Sequence, residues 1–137
     1  MVVQHGRDKD LDILINDENY NVRKAVAEHG RDKDLDILVH DNDSRVRGAV
    51  ADQGRKKDLD ILLHDNFWGV RWHVAKNGNL EHCQKLLHDE CICVEQDAYN
   101  RICEIKNKER ELKQKKLINN EINDKPNNKI VQYEIIQ

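Results

Sequence analysis

One 24-residue unit returns along this chain in register, and it constrains the fold more than any other feature. Gly6, Gly30, Gly54 and Gly78 are each 24 residues apart. The ten residues from His5 to Leu14 recur letter for letter from His29 to Leu38, and return with two changes from Gln53 to Leu62. A third trace, from Asn77-Gly78 to Lys85-Leu86-Leu87-His88-Asp89, is much decayed. The pairs Val22-Arg23, Val46-Arg47 and Val70-Arg71 keep the same spacing, with Val94-Glu95 in the fourth place. A period of this length marks a stack of supersecondary units, each burying its apolar face only against its neighbours. Such stacks bind far more often than they catalyse.

The unit from Asp41 to Asp65 reads as two helical segments. Asp41-Asn42-Asp43-Ser44 offers short side-chain oxygens to cap a helix start. Val46, Ala49 and Val50 then recur at helical spacing. Gly54 ends that helix, because glycine takes the left-handed conformation at no Cβ penalty. A shorter segment follows, with Leu59, Ile61, Leu62 and Leu63 as its apolar face. Pieces this short are where 3₁₀ geometry occurs.

The pattern Asp-x4-Val-Arg-x-Ala-Val-Ala, followed by Leu-x-x-Leu before the next Asp, resembles the leucine-rich repeat variant, a short HEAT-like unit. The residues that carry the resemblance are Asp17…Val22-Arg23…Ala25-Val26-Ala27, Asp41…Val46-Arg47…Ala49-Val50-Ala51 and Asp65…Val70-Arg71…Val74-Ala75. It extends from residue 1 to about residue 103. It implies an all-α, right-handed α-solenoid of about four repeats in which α-helices alternate with short α or 3₁₀ helices. It implies no activity. The chain departs from the pattern at its start, where Met1-Val2-Val3 aligns with Ala25-Val26-Ala27 and most of a first long helix is lacking.

A C-terminal helical cap is expected from Cys91 through Ile102 and Ile105 to Leu117, charged and poor in apolar residues. Residues 1–118 then form the repeat domain with its cap. Residues 119–137 form an Asn-rich linker with the single proline, Pro126, and a short β-prone tail, Lys129 to Gln137. Residues 1–103 hold 15 Lys/Arg against 20 Asp/Glu, a net −5, and residues 104–117 hold 6 against 3, a net +3. The repeat block therefore lacks the positive excess of a phosphate-backbone binder. No apolar run is long enough to span a membrane. No charged-then-apolar leader precedes the repeats, so the expected location is the cytoplasm, with all four cysteines as free thiols.

Asp17, Asp41, Asp65 and Asp89, with Arg23, Arg47 and Arg71, read as a ladder between neighbouring units rather than as catalytic groups. The Asp-Lys-Asp runs at 8–10 and 32–34 read as solvated turns. His82-Cys83, His88, Cys91-x-Cys93 and Cys103 offer soft ligands, but no Cys-x2-Cys pair, and Cys83 falls at the repeat position of Leu59. A small buried hydrophobe is the simpler reading, so no metal and no cofactor are expected. Nothing has the spacing of a nucleophile with its base or of a phosphate loop, and the chain is read as non-enzymatic.

Function is sought where the units differ. The first two share 16 of 24 residues, the second and third 15, the third and fourth 6. At one position the units read Tyr20, Ser44, Trp68, Ile92; four residues on they read Lys24, Gly48, Trp72, Gln96. Residues four apart share a helix face. Tyr20, Lys24, Ser44, Trp68, Trp72 and Ile92 are the expected partner-binding face of a protein-interaction scaffold, with the tryptophans as anchors. A competing reading has one tryptophan filling the gap over Gly48 as core. The alternative function is nucleic-acid binding through turn-borne rows Arg7, Arg31, Arg55 and Lys9, Lys33, Lys57. The interleaved Asp8, Asp10, Asp32 and Asp34 argue against it. Because a stack end exposes an apolar face, Val2, Val3, Ile13 and Leu14 are expected to contact a second copy, as a homodimer, or the tail.

Overall fold

The computed structural model describes the backbone of residues 2–124 and the side chains of residues 7–124. The side chains of Val2 and Val3 and the tail from Lys129 to Gln137 lie outside the described residues. Those described form eight α-helices and no strand: α1 (Val2–Leu14), α2 (Tyr20–His29), α3 (Asp32–Leu38), α4 (Ser44–Asp52), α5 (Lys56–Leu62), α6 (Trp68–Asn77), α7 (Leu80–Leu86) and α8 (Ile92–Asp124). None is long and apolar enough to cross a membrane. Two compact units divide between Ile102 and Cys103, inside α8.

In the first unit the helix starts keep the sequence register. The longer helices begin at Tyr20, Ser44, Trp68 and Ile92, the shorter ones at Asp32, Lys56 and Leu80. Helix α4 packs against both α2 and α6, and each of α3 and α5 packs between two successive longer helices. Between them lies a core of Val26, Val46, Val50, Val70, Val74 and Val94 with Leu35, Leu38, Leu59 and Leu62. Each such side chain contributes roughly 1.5–3 kcal/mol by leaving water.

Local chemistry sets the helix ends. The side chains of Asn19 and Asp43 each accept a hydrogen bond from the amide two residues on, capping α2 and α4. Gly30 and Gly54 take the left-handed conformation at φ 83° and 74°. Two other glycines depart from the expectation. Helix α1 runs through Gly6 without a break. Gly78 is extended at φ −74°, and is needed for a close approach instead: a Cβ there would lie 2.7 Å from the Val74 carbonyl oxygen.

The short elements are two-turn α-helices rather than 3₁₀ turns, with 3₁₀ bonding confined to their ends. The Arg31 carbonyl accepts from the amides of both Asp34 and Leu35, and the exit is closed by His40 N–H to Ile37 and Asp41 N–H to Leu38. Their apolar face is narrower than expected. Ile13, Ile37 and Ile61, one per unit, are exposed, while Leu35, Leu38, Leu59, Leu62 and Leu63 are buried. Leu14 is also exposed, at the margin.

The acid–arginine ladder forms as read. Arg23 meets Asp41, Arg47 meets Asp65 and Arg71 meets Asp89, each through Nε and Nη2 to the two carboxylate oxygens at 2.7–3.1 Å. Each arginine also donates Nη1 to a backbone carbonyl of its own unit, at Asp17, Asp41 and Asp65. Every rung thus ties one unit's helix to the turn opening the next.

A second ladder corrects the reading of the Asp-Lys-Asp runs as solvated turns: both runs are helical, and although Lys9, Asp10, Asp32 and Lys33 are exposed, Asp34 is not. Asp34 and Asp58 are buried, paired with Arg31 and Arg55 at 2.6 and 2.7 Å. The same arginines reach back to Asp12 and Asp36 of the preceding unit at 2.8 and 2.7 Å. At the next repeat Asn79 replaces the arginine and His82 the buried acid. The Asn79 side chain accepts from the His82 amide, and the Asn79 N–H donates to His82 Nδ1. An amide N–H can only donate, so the proton sits on Nε2, which faces Asp60 at 2.6 Å. Asp60 falls at the repeat position of Asp12 and Asp36, so the rung is kept with a different donor.

The described part of the second unit, taken by itself, is the continuation of α8 to Asp124. Leu112, Leu117, Ile118 and Ile122 are exposed along it. Residues 119–124, read from their asparagines as linker, are helical. Extending a helix already nucleated upstream costs little, and the weak preference of asparagine against helix does not stop it.

Candidate interaction surface

Of the six residues expected on the binding face, four are engaged with neighbouring side chains or half-buried. The Tyr20 ring lies under the Arg45 guanidinium, 3.4 Å from the ring centroid. Lys24 is half-buried and faces Glu28, one turn on, at 3.9 Å. Ser44 is half-buried at the first position of α4. Trp72 is half-buried against the core, and its indole N–H donates to the Asp97 carboxylate. The Lys76 ammonium sits 4.1 Å above its ring, a cation–π contact.

The space over Gly48 is filled by histidine, not tryptophan. A Cβ on Gly48 would lie 2.9 Å from His73 Cδ2. His73 Nδ1 is 2.7 Å from Asp52, which also accepts from Asn77 at 2.9 Å. His73, Asp52 and Asn77 therefore join α4 to α6, as Trp72 and Asp97 join α6 to α8.

Trp68 and Ile92 remain. Trp68 is 46% exposed and Ile92 77%. Beside Trp68 stands Phe67, 45% exposed, with ring centroids 5.7 Å apart and planes tilted by 41°. Gly69 makes room for it: a Cβ there would lie 2.5 Å from Phe67 Cε1. Phe67 occupies the N-cap of α6, where α2 and α4 carry Asn19 and Asp43, and it makes no capping hydrogen bond. Losing a cap costs about 0.5–2 kcal/mol. Phe67 was not among the residues expected on this face. The signal was the N-cap position itself, which runs Asn19, Asp43, Phe67, Cys91.

Of the turn-borne arginine row Arg7, Arg31 and Arg55, only Arg7 is exposed. Arg31 and Arg55 are largely buried in the second ladder. Lys33 and Lys57 are paired with Asp12 and Asp36 at 2.8 and 2.5 Å. Cys83 is fully buried, donates its thiol to the Ala75 carbonyl at 3.4 Å, and has its pKa pushed up by burial. Among the described residues no three His, Cys, Asp or Glu side chains converge as a metal site would require.

Comparison with known protein families, curated proteins and solved structures returns no match.

Proposed function

We propose that the chain is a right-handed α-solenoid of about four 24-residue repeats, of the leucine-rich-repeat-variant or HEAT-like kind. In this reading it is a non-enzymatic scaffold that binds a protein through the exposed Phe67–Trp68 pair. One observation carries the proposal: the third unit gives up its N-cap side chain and presents adjacent exposed aromatic rings in its place. A local rule broken with no gain to the fold is where function is sought. Tryptophan and tyrosine dominate binding hot spots because they bring large apolar area at low conformational-entropy cost.

A protein partner is favoured over nucleic acid because Arg31 and Arg55 are already held by carboxylates on both sides. Trp68→Ala is expected to weaken partner binding by about 2 kcal/mol or more while leaving the melting temperature nearly unchanged. Calorimetry with an affinity-purified partner, beside a thermal melt, measures both. Unfolding without a separate binding loss would assign Trp68 to the core.

A further inference from the structure

One groove of the first unit is lined by Leu87, Ile92, Glu95, Gln96 and Tyr99, four of them on one face of α8. Its meaning comes from the repeat register, and so depends on the chain being the stacked-repeat scaffold proposed for it. In the earlier units the same face is covered by the next long helix. Val39 and Leu63, at the position of Leu87, are buried; Ala27, Ala51 and Ala75, at the position of Tyr99, are fully buried. Arg23, Arg47 and Arg71, at the position of Glu95, each donate to the aspartate of the following unit.

On α8 each of these features has changed. Tyr99 is exposed and Leu87 is half-buried, and Ile92, at a position already open at Trp68, adds a further exposed apolar side chain beside them. The small alanine has become a broad aromatic, and the donor arginine has become a carboxylate. Glu95 makes no ion pair among the described residues, and the neighbouring Glu90 is almost wholly exposed. The face keeps its apolar character but inverts the charge at the position where each earlier unit carries the arginine of the first ladder.

A second copy of the chain does not satisfy it. Stacked in register, a copy would bring Asp17, the counterpart of Asp41, Asp65 and Asp89, against Glu95. It would also bring Arg7, the counterpart of Arg31 and Arg55, against Gln84 where the other units hold Asp12, Asp36 and Asp60. The first ladder would become two facing carboxylates and the second would lose its acid, which is how specificity against a wrong partner is built. The occupant must be helical, because the equivalent faces receive helices, and must carry a cation where the repeat carries an acid.

We propose that the groove over Leu87, Ile92 and Tyr99 docks an amphipathic helix of another protein, with a lysine or arginine set against Glu95. The apolar side chains give the contact its affinity, and Glu95 selects the sign of the partner's charge.

The test uses the full chain and two synthetic helical peptides of about 20 residues, long enough to hold helix. They share one leucine stripe, flanked by arginines in one and by glutamates in the other. Fluorescence anisotropy should show saturable binding of the arginine peptide only. Tyr99→Ala and Glu95→Gln should each weaken it on the order of tenfold, and Glu95→Arg should transfer the preference to the glutamate peptide. Glu95→Gln keeps the size of the side chain, so it reports even if Tyr99→Ala fails to fold. Absence of binding, equal binding of both peptides, or an unchanged preference in Glu95→Arg overturns the proposal. So does a dimer in sedimentation that Tyr99→Ala abolishes, since a second copy would then be the occupant. Trp68→Ala serves as the control that separates the two surfaces. It should leave peptide binding intact, so a failure of the Phe67–Trp68 site and a failure of this one give different results.

Discussion

At position 67 the fold and the surface ask for different residues. The register calls for Asn or Asp at the N-cap, and Phe67 leaves the first amides of α6 without a side-chain acceptor. Phe67→Asp should therefore stabilise the protein, by about 1 kcal/mol, and raise the melting temperature while weakening partner binding. Differential scanning fluorimetry and the binding assay on the same preparation check both directions. A variant that melts lower would mean that the ring's packing over Gly69 outweighs the cap. Residue-scale roles were only partly legible in the sequence. Cys83 was readable as core because it falls at the position of Leu59. The environment of Trp72 was not, because the sequence does not show that Asp97, from the following unit, lies within reach of its indole. His82 was hidden for a similar reason: it falls at the position of the buried Asp34 and Asp58, and in the sequence Asp34 reads as part of a solvated turn.

At the scale of the helices, the short α3 and α5 each bury a carboxylate in the first turn beside their two buried leucines. Asp58 is fully enclosed and answered by Arg55, which also binds Asp36 of the preceding unit. Asp58→Ala should destabilise by about 3 kcal/mol, because it leaves the guanidinium without its buried partner. Replacing both residues together, as Arg55→Met with Asp58→Leu, should recover much of that loss, since a buried pair is often matched by apolar residues of similar volume. Urea midpoints of the two variants decide, and a double variant as weak as the single one would show that the pair contributes more than its own desolvation. The existence and spacing of these helices were legible from the repeat alone. Their exposed stripe was not. A helix of seven residues has only two turns, and Ile37 and Ile61 could not be sorted from their buried leucine neighbours until the directions of packing were known.

At the scale of the whole molecule, aspartates of both ladders and the Asp43 cap make the fold sensitive to acid. Lys33 and Arg31 hold the Asp12 carboxyl below its ordinary range, and Lys57 and Arg55 do the same for Asp36. His82 and Lys56 lower Asp60, and Arg45 brings Asp43 from 3.8 down to about 2. At Asp89 burial pushes the other way, but Arg71 and the Cys91 amide outweigh it. A carboxyl with a lower pKa in the folded state is ionised there at pH values where the unfolded chain already binds a proton. Its contribution is therefore complete above the unfolded value of 3.8, and drains away as the pH falls toward the folded one. Stability should be nearly level from neutral pH down to about 5 as far as these groups decide it, and should fall steeply between about 4 and 2. The loss should be shared among the repeats rather than confined to one helix, because the pairs of Asp12, Asp36, Asp60 and Asp89 each join two of them, while Asp43 and Arg45 lie within one. Urea unfolding at a series of pH values, followed by helical circular dichroism, measures the slope. A midpoint as high near pH 2.5 as near pH 6 would show that these ion pairs stabilise the folded state no better than water does, and that burial of the valine and leucine core alone holds the units together.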